Sequence, residues 1–207
     1  MNDYSKIAND KLYVAQKQHY VHCYQSADLP IWSKNRPNPI IVSFIEEVLQ
    51  QNPSPSVLDI GCGFGDYIDF LKDRTENILI GVDYVSTATQ KAREKINMVT
   101  PNPKAHIEEI DFWDFQENGF DLIIDSGFFQ HIKKAHWNVY IDKLKEHGNR
   151  EFYFILSVFS ENNRLYVNKT PKNNWAKYKG RYGYYFTEQI IRTAFYQFSF
   201  LRVTYAN

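Results

Sequence analysis

The spacing of hydrophobic residues changes along this 207-residue chain from a helical period to short continuous runs and back. In residues 4–25, apolar and aromatic side chains recur at roughly helical spacing, which predicts one or two amphipathic helices. Residues 40–51 show a clearer helical period, and Pro53 and Pro55 predict where that helix ends. Buried strands are predicted where short apolar runs occur, at residues 57–60, 78–83, 120–125 and 151–159, and the alternating run at 104–111 is predicted nearer a sheet edge.

Helical patterns fill the gaps between these strands, so strand and helix alternate through the middle of the chain. Such alternation predicts an α/β fold in which a doubly wound, mostly parallel sheet carries helices on both faces. The length fits one domain, with N-terminal lid helices and a connector in residues 1–39, a ligand-binding core in 40–160, and a substrate-side loop in 161–207 that ends in a helix and a strand. The predicted helices are residues 87–98, 135–147 and 188–197, and the last strand is predicted at 198–205.

A glycine-rich turn follows the first buried strand. Residues 59–65 read Asp-Ile-Gly-Cys-Gly-Phe-Gly, and a helical pattern follows them. Glycine tolerates positive φ and lets a ligand approach the backbone closely, while the first turn of a helix offers N–H groups to a polar ligand. The glycines run G-x-G-x-G, which differs from the phosphate-binding pattern G-x-G-x-x-G. An acid two residues before the first glycine favours a ligand with an ammonium group over a diphosphate.

This stretch resembles the first motif of the class I methyltransferases that depend on S-adenosylmethionine (SAM). The resemblance implies a Rossmann-like methyltransferase fold, SAM as the cofactor, and a role for Asp59 in orienting the loop and the methionine ammonium. A purely structural turn is the alternative. The family sheet has seven strands, whereas six are predicted here, so the chain is truncated, the last hairpin is reduced, or a neighbouring chain covers the exposed edge. The loop residues that the resemblance places at the cofactor are Gly61, Cys62, Gly63 and Gly65.

Acidic residues stand at or near the ends of four predicted strands, where an open parallel sheet binds its ligands. The resemblance implies that Asp83, with Tyr84 beside it, accepts the ribose hydroxyls of SAM. It also implies that Asp111 accepts the adenine amine while Phe112 covers the ring. The alternatives are a helix cap for Asp83 and an exposed loop position for Asp111. The four acids are Asp59, Asp83, Asp111 and Asp125.

Residues 125–132 read Asp-Ser-Gly-Phe-Phe-Gln-His-Ile. They depart from the (D/N)-P-P-(Y/F) motif of amide and amine N-methyltransferases and resemble the D-x-x-x-x-x-H-[IL] run of small-molecule methyltransferases. The resemblance places Asp125, Ser126 and Gly127 at the cofactor. His131 is the candidate catalytic residue, either as a general base or as a side chain that caps the loop by a hydrogen bond, and both roles stay open.

A second resemblance lies in residues 28–39, which are similar to the L-P-W-D-x-G-R-P-x-P segment of bacterial small-molecule methyltransferases related to thiopurine and thiol S-methyltransferases. That segment closes over the methionine end of SAM. Trp32 and Arg36 match it and are predicted to form a lid, although Ser33-Lys34-Asn35 replaces the usual Asp-x-Gly. A packed surface aromatic is the alternative for Trp32.

Charge, hydrophobicity and cysteine content indicate which binding partners and which cellular compartment to expect. Lys and Arg number 24 and Asp and Glu number 24, so the net charge is zero, and nucleic acid is not predicted as a partner. No apolar run approaches membrane-spanning length, and the first residues lack a signal-peptide core. Cys23 and Cys62 form no metal-binding spacing and favour a reducing compartment. We therefore expect a cytoplasmic protein without a metal site, a monomer or weak homodimer.

Three functions are compatible with the sequence. The lead interpretation is methyl transfer from SAM to a small-molecule acceptor, with sulfur slightly favoured as the acceptor atom. The second is an RNA or protein methyltransferase that uses the basic, aromatic-rich residues 161–186 as a contact surface. The third is a SAM-binding protein without catalytic activity, because a fold does not prove a function.

Overall fold

The computed structural model describes residues 4–26, 30, 32, 36–98, 102–162, 174–178, 181–200 and 202–205. Within these ranges the α-helices are α1 (Ser5–Ala8), α2 (Lys11–Gln25), α3 (Pro39–Gln51), α4 (Asp66–Leu71), α5 (Ser86–Asn97), α6 (Trp137–His147) and α7 (Glu188–Ala194). Short 3-10 turns occur at Phe129–His131 and Lys134–His136. The strands are β1 (Val57–Ile60), β2 (Leu79–Asp83), β3 (Ala105–Glu109), β4 (Phe120–Ser126), β5 (Gly148–Ser157), β6 (Trp175–Tyr178) and β7 (Arg181–Tyr184).

Local sequence signals fix where several helices begin. The side chain of Asp10 accepts hydrogen bonds from the backbone of Leu12 and Tyr13 and so caps α2. Asn38 caps α3 directly before Pro39, a residue whose missing N–H costs nothing at the first helical position. Thr187 accepts the backbone N–H of Ile190 at 3.0 Å and starts α7. These three helices begin within one residue of the predicted positions or inside the predicted range.

Five parallel strands form the main sheet in the order β3-β2-β1-β4-β5. In the register of the central strands, Asp59 lies beside Gly81 on β2, and Ile60 lies beside Asp125 on β4. The strands therefore end together, and the residues that follow β1, β2 and β4 meet at one edge. Parallel strands of this kind predict a ligand site at their carboxyl ends.

Helices cover both faces of the sheet, as the doubly wound prediction requires. Leu58 and Ile60 of β1 point into a cluster that includes Tyr140 and Leu144 of α6. Val57 points to the opposite cluster, which contains Ile41 and Ile45 of α3 together with parts of α4 and α5. Because successive side chains of a strand alternate between faces, β1 contributes to both cores, and its four residues are all buried. The fold class is confirmed.

The predicted strand at residues 198–205 is wrong for the described part of that range. Residues 198–200 and 202–205 are in irregular structure and attach through side chains instead. Phe198 packs against Phe152 and Phe154 of β5, with ring centroids 5.8 and 6.1 Å apart. Arg202 donates to Ser43 of α3 at 3.0 Å. Aromatic contacts and an ion-pairing residue hold this segment where a strand would have used backbone hydrogen bonds.

Part of the range 161–186, which the sequence predicts as a loop, is a hairpin. β6 and β7 pair antiparallel with each other, with Trp175 opposite Tyr184. The buried side chains of Tyr184 and Phe186 pack on Trp137, with centroids 4.9 and 5.3 Å away. Residues 163–173 and 179–180 of the predicted loop lie outside the described residues.

Across the described ranges, no helix combines the length and the hydrophobicity that crossing a membrane would require.

Candidate functional site

The glycine loop joins β1 to α4 in a conformation that favours glycine. Gly61, Gly63 and Gly65 have φ values of 66°, 54° and 70°, in the left-handed region that side chains rarely adopt. Space is also limited, because a Cβ on Gly65 would lie 3.0 Å from the Cβ of Ala92 on α5. A Cβ on Gly63 would lie only 2.7 Å from the Tyr24 hydroxyl. The three glycines therefore let α5 on one side and α2 on the other approach the loop backbone.

Asp83 ends β2 and touches this loop directly. Its Oδ2 accepts the backbone N–H of Gly63 at 3.0 Å, and its Oδ1 accepts the N–H of Val85 at 2.9 Å. Burial raises the pKa of the Asp83 carboxyl to about 6, although the two backbone donors act in the opposite direction. Asp83 therefore holds the loop. Its side chain is 8% exposed, so a small part of its surface stays open to the site.

Asp125 and Asp59 are two further buried acids at this edge. Asp125 accepts the backbone N–H groups of Gly127, Phe128 and Phe129 at 2.7 to 3.1 Å, and burial raises its pKa to about 6. Asp59 differs, because its Oδ2 is buried and has no hydrogen-bond partner among the described residues. Burial, and then the charges of neighbouring acids, raise the pKa of Asp59 well above its ordinary value. The raised pKa favours the neutral acid, and the unpartnered oxygen leaves a hydrogen-bonding capacity of Asp59 unused in this structure.

A cavity of about 150 Å³ opens at this edge, and of the three acids Asp83 lines it whereas Asp59 and Asp125 do not. It takes in seven residues that the sequence predicts at the site, namely Trp32, Gly61, Asp83, Tyr84, Ser126, Gly127 and His131. A separate and larger surface depression, of about 650 Å³, is lined by residues of α7 and by Tyr196 and contains none of the predicted site residues. The smaller cavity is therefore the candidate site.

The sequence predicts N-terminal lid helices but names none of the side chains of α2 as site residues. Five of its side chains line the cavity, and they recur three and four residues apart on one helical face. That spacing was visible in the sequence as a stripe of aromatic and polar residues, but only the fold shows that the stripe faces the carboxyl edge of the sheet. The five residues are Tyr13, Gln16, Lys17, Tyr20 and Tyr24.

Asp111 and Phe112 are not among the residues that line the cavity. The Asp111 carboxylate forms a salt bridge with Lys17 at 2.6 Å and accepts the Tyr13 hydroxyl at 2.8 Å. Phe112 is 2% exposed and packs in the core, with its ring 5.7 Å from that of Tyr140. The loop after β3 therefore anchors α2 in this structure, and the proposed adenine contact of Asp111 requires Lys17 to move.

The remaining predicted site residues lie around the cavity in different ways. Trp32 lines it, is 37% exposed, and donates from Nε1 to the Tyr24 hydroxyl at 3.2 Å. Arg36 is exposed and does not line the cavity. The Cys62 thiol lies behind the loop, where a Cβ on Gly81 would be 2.9 Å from its Sγ. Burial raises the pKa of that thiol well above its ordinary value, so it stays protonated.

His131 is held between α2 and β7. Its Nδ1 lies 2.5 Å from the carbonyl oxygen of Tyr182, which can only accept, so Nδ1 carries the proton of the neutral ring. Nε2 is then an acceptor, and the Tyr20 hydroxyl lies 2.6 Å from it. Gln16 braces the same group, since its amide donates to the His131 carbonyl at 3.1 Å and accepts the Tyr182 N–H at 3.2 Å. The two roles left open by the sequence are compatible, because one ring nitrogen binds the backbone and the other faces a tyrosine of the cavity wall.

A metal centre would need several ligating side chains close together. Within the described part of the chain, no three His, Cys, Asp or Glu side chains are grouped in that way.

Comparison with known proteins finds a family that is similar to the middle of the chain. Residues 57–149, just under half of the sequence, match the model of a family described as a methyltransferase domain. The match begins at β1 and includes the glycine loop, Asp83, Asp125 and His131.

Two curated relatives share a similar segment. A probable fatty acid methyltransferase of Pseudomonas putida is 25% identical over 97 residues, which are 46% of this chain and 25% of the relative. The human probable tRNA methyltransferase 9B is 31% identical over 121 residues, which are 56% of this chain and 23% of the relative. The similarity thus spans about a quarter of the length of these relatives.

A solved structure shows the same fold over most of the chain. The 1,6-didemethyltoxoflavin-N1-methyltransferase of Burkholderia thailandensis, bound to 1,6-didemethyltoxoflavin and S-adenosylhomocysteine, superposes with a TM-score of 0.68. The two proteins are 17% identical, and the alignment covers 95% of this chain and 79% of the other. The family match indicates a methyltransferase domain in residues 57–149, and the superposition shows a shared Rossmann-like fold. The finer resemblance to thiopurine and thiol S-methyltransferases stays a prediction.

Proposed function

We propose that this protein transfers the methyl group of SAM to a small-molecule acceptor that enters the cavity between α2 and the carboxyl edge of the sheet. The observation that carries the proposal is the position of Asp83, which both holds the glycine loop and lines that cavity. The methyltransferase-domain match over residues 57–149 supports the same activity.

The residues around the cavity suit SAM in charge and in hydrogen-bonding capacity. Asp83 would accept the ribose hydroxyls, as the acid after the second strand of nucleotide-binding α/β folds does. Asp59 does not line the cavity, so we expect it to orient the glycine loop and, through the loop, the methionine ammonium. Trp32 would cover the sulfonium end, since it lines the cavity from the segment before α3. Arg36, which is exposed, would reach the methionine carboxylate only if that segment closes.

The cavity must enlarge to admit the ligand. Pockets for drug-sized ligands measure about 300–1,000 Å³, whereas this cavity measures about 150 Å³. The obstructing side chains belong to α2, where Tyr24 covers the glycine loop and Lys17 occupies Asp111. We therefore expect the side chains of Lys17 and Tyr24 to move aside when SAM binds, which would free Asp111 for the adenine amine, while Gln16 and Tyr20 keep their contacts with His131.

Bound SAM supplies an electrophilic methyl carbon, so the chain has to align an acceptor with it and exclude water. Aromatic rings of Tyr20, Tyr24 and Trp32 pack edge to face, with centroids 5.5 to 6.0 Å apart, and would form the water-excluding wall. His131, whose Nε2 is an acceptor in the neutral ring, is the proposed general base for an acceptor that must lose a proton.

The test combines binding and turnover. Titration calorimetry with S-adenosylhomocysteine should show one site per chain, and Asp83→Ala should weaken it. A coupled assay for S-adenosylhomocysteine release should then find turnover among thiols, phenols, alcohols and amines. Binding without turnover across that panel would favour a SAM-binding protein without catalytic activity, and absence of binding would refute the proposal.

A second function, methylation of RNA, is favoured by one observation: the 31% identity to a probable tRNA methyltransferase. The basic, aromatic-rich stretch that would contact RNA lies mostly outside the described residues. A filter-binding assay with total tRNA separates the two functions. Strong binding that falls steeply as salt rises, with methyl transfer into the RNA, would favour RNA as the substrate.

A further inference from the structure

The hydroxyl of Tyr20 stands between His131 and the cavity. Since Nδ1 of His131 donates to the Tyr182 carbonyl at 2.5 Å, Nε2 has a lone pair, and the Tyr20 hydroxyl at 2.6 Å donates to it. We propose that Tyr20 is a catalytic residue that takes the proton of a hydroxyl acceptor while passing its own proton to His131. The inference rests on the proposed methyl transfer and names both a residue and the acceptor class of that reaction.

The geometry makes Tyr20 the partner of the acceptor and puts His131 behind it. Both residues line the cavity, but Nε2 of His131 already faces the Tyr20 hydroxyl at 2.6 Å and the Gln130 amide at 3.3 Å. An acceptor therefore meets the tyrosine oxygen before it meets the imidazole nitrogen. The ring of Tyr20 is fixed edge to face against those of Trp32 and His131, with centroids 5.5 and 5.3 Å away.

The surrounding contacts hold the pair in a defined arrangement. Gln16, one turn before Tyr20 on α2, is 4% exposed and joins the His131 carbonyl to the Tyr182 N–H. The helix, the 3-10 turn and β7 are thereby connected at one point. Two other side chains of α2, Tyr13 and Lys17, are bound to Asp111. They anchor the helix, whereas the hydroxyl of Tyr20 is directed at a group that can accept a proton.

The proton transfer balances without any further reactant. As the acceptor oxygen forms its bond to the methyl carbon, the electron pair of the broken carbon–sulfur bond stays on sulfur. The acceptor proton moves to the Tyr20 oxygen, and the Tyr20 proton moves to Nε2 of His131. Tyr20 ends as a neutral phenol and His131 as an imidazolium that still donates from Nδ1 to Tyr182. Loss of that proton to water returns the pair to its starting state.

Such a relay identifies the acceptor as a hydroxyl compound. A thiol has an ordinary pKa near 8.5, so a useful fraction ionises unaided at neutral pH, whereas a phenol has one near 10. Base catalysis therefore matters most for oxygen acceptors. The slight preference for sulfur that the sequence resemblance suggested gives way, in this proposal, to oxygen.

The test uses two probes of matched shape, phenol and benzenethiol, with SAM and the full chain. We expect Tyr20→Phe and His131→Gln each to lower kcat on phenol by about 100-fold or more, the usual range for lost acid–base catalysis. Turnover of benzenethiol should change by only a few-fold. Tyr196→Phe, at a tyrosine that is 74% exposed on the surface, is the matched control and should change neither.

Two readouts separate this inference from the proposed function. Calorimetry with S-adenosylhomocysteine should give the same affinity for Tyr20→Phe as for the unaltered protein. If the unaltered protein does not bind S-adenosylhomocysteine, the proposed function itself is refuted. Nitrogen-15 NMR of labelled histidine should show the Nε2 resonance of His131 shift in Tyr20→Phe while Nδ1 keeps its proton. Equal losses on both probes, an unchanged rate on phenol, or ligand binding with no turnover of phenol would each overturn the role of Tyr20.

Discussion

The carboxylate of Asp83 accepts the backbone N–H of Gly63 at 3.0 Å, which ties the end of β2 to the loop after β1. Since the same side chain lines the cavity, one carboxylate both holds the loop and faces the candidate site. Protonation of the Asp83 carboxylate, or replacement of Asp83, should therefore have a measurable effect on cofactor binding.

Asp83→Ala should weaken the binding of S-adenosylhomocysteine by about 10- to 100-fold. Hydrogen bonds to a charged group contribute about 1.5–3 kcal/mol, and the variant would remove the ribose acceptor. Titration calorimetry measures the change. Asp142→Ala, at an exposed acid on α6, is the matched control and should bind normally. An unchanged affinity in Asp83→Ala would mean that the ribose lies elsewhere.

Cofactor affinity should also depend on pH. Burial raises the pKa of Asp83 to about 6, so the carboxylate that we propose as the ribose acceptor is mostly ionised at pH 7 and mostly protonated at pH 5. Because the ionised form is the acceptor, the affinity for S-adenosylhomocysteine should be highest above pH 6 and should fall as the pH drops through 6, by about tenfold at pH 5. Calorimetry at both values tests this. Asp83→Asn should flatten the profile, and the same profile in that variant would assign the titration to another group such as Asp125.

Trp32→Ala should lower cofactor affinity and turnover while leaving thermal stability nearly unchanged. The side chain is 37% exposed and lines the cavity, so its loss opens the site without leaving a hole in the core. Trp137→Ala is the contrasting variant, because Trp137 is 5% exposed and should cost about 3–5 kcal/mol of stability. Melting curves with and without S-adenosylhomocysteine separate the two. A large stability loss in Trp32→Ala with full affinity would place Trp32 in the core.

Loss of the contact between Lys17 of α2 and Asp111 should accompany cofactor binding. Lys17→Met removes the salt bridge to Asp111, so amides of α2 should exchange with deuterium faster in the free variant and the ligand should associate faster. Lys11→Met, at an exposed position of the same helix, is the control. Hydrogen exchange followed by mass spectrometry provides the measurement. Exchange across α2 that is identical with and without S-adenosylhomocysteine would show that the site admits its ligand without loss of this contact.

The local sequence pattern predicted most strands of the parallel sheet and the ligand-binding edge at their carboxyl ends. The glycine spacing after Val57–Ile60 and the acids at the strand ends identify a ligand site, because parallel strands bring their carboxyl ends together wherever the register falls. Asp59, Asp83 and Asp125 are therefore found together at that edge. Predictions failed where side-chain packing replaces backbone pairing, as at Phe198, whose ring packs on β5 in the absence of a strand.

The strand–glycine loop–helix unit and the acids beside it follow from the sequence, since these depend on spacing within a few residues. Which face of α2 closes the site depends on long-range packing. Tyr20 meets His131 across 111 residues, and Lys17 meets Asp111 across 94. No local period encodes such pairs, because they form only when a mixed polar and aromatic helix packs over the finished edge of the sheet. Whether Asp111 faces a ligand or a lysine is therefore set by the position of that helix.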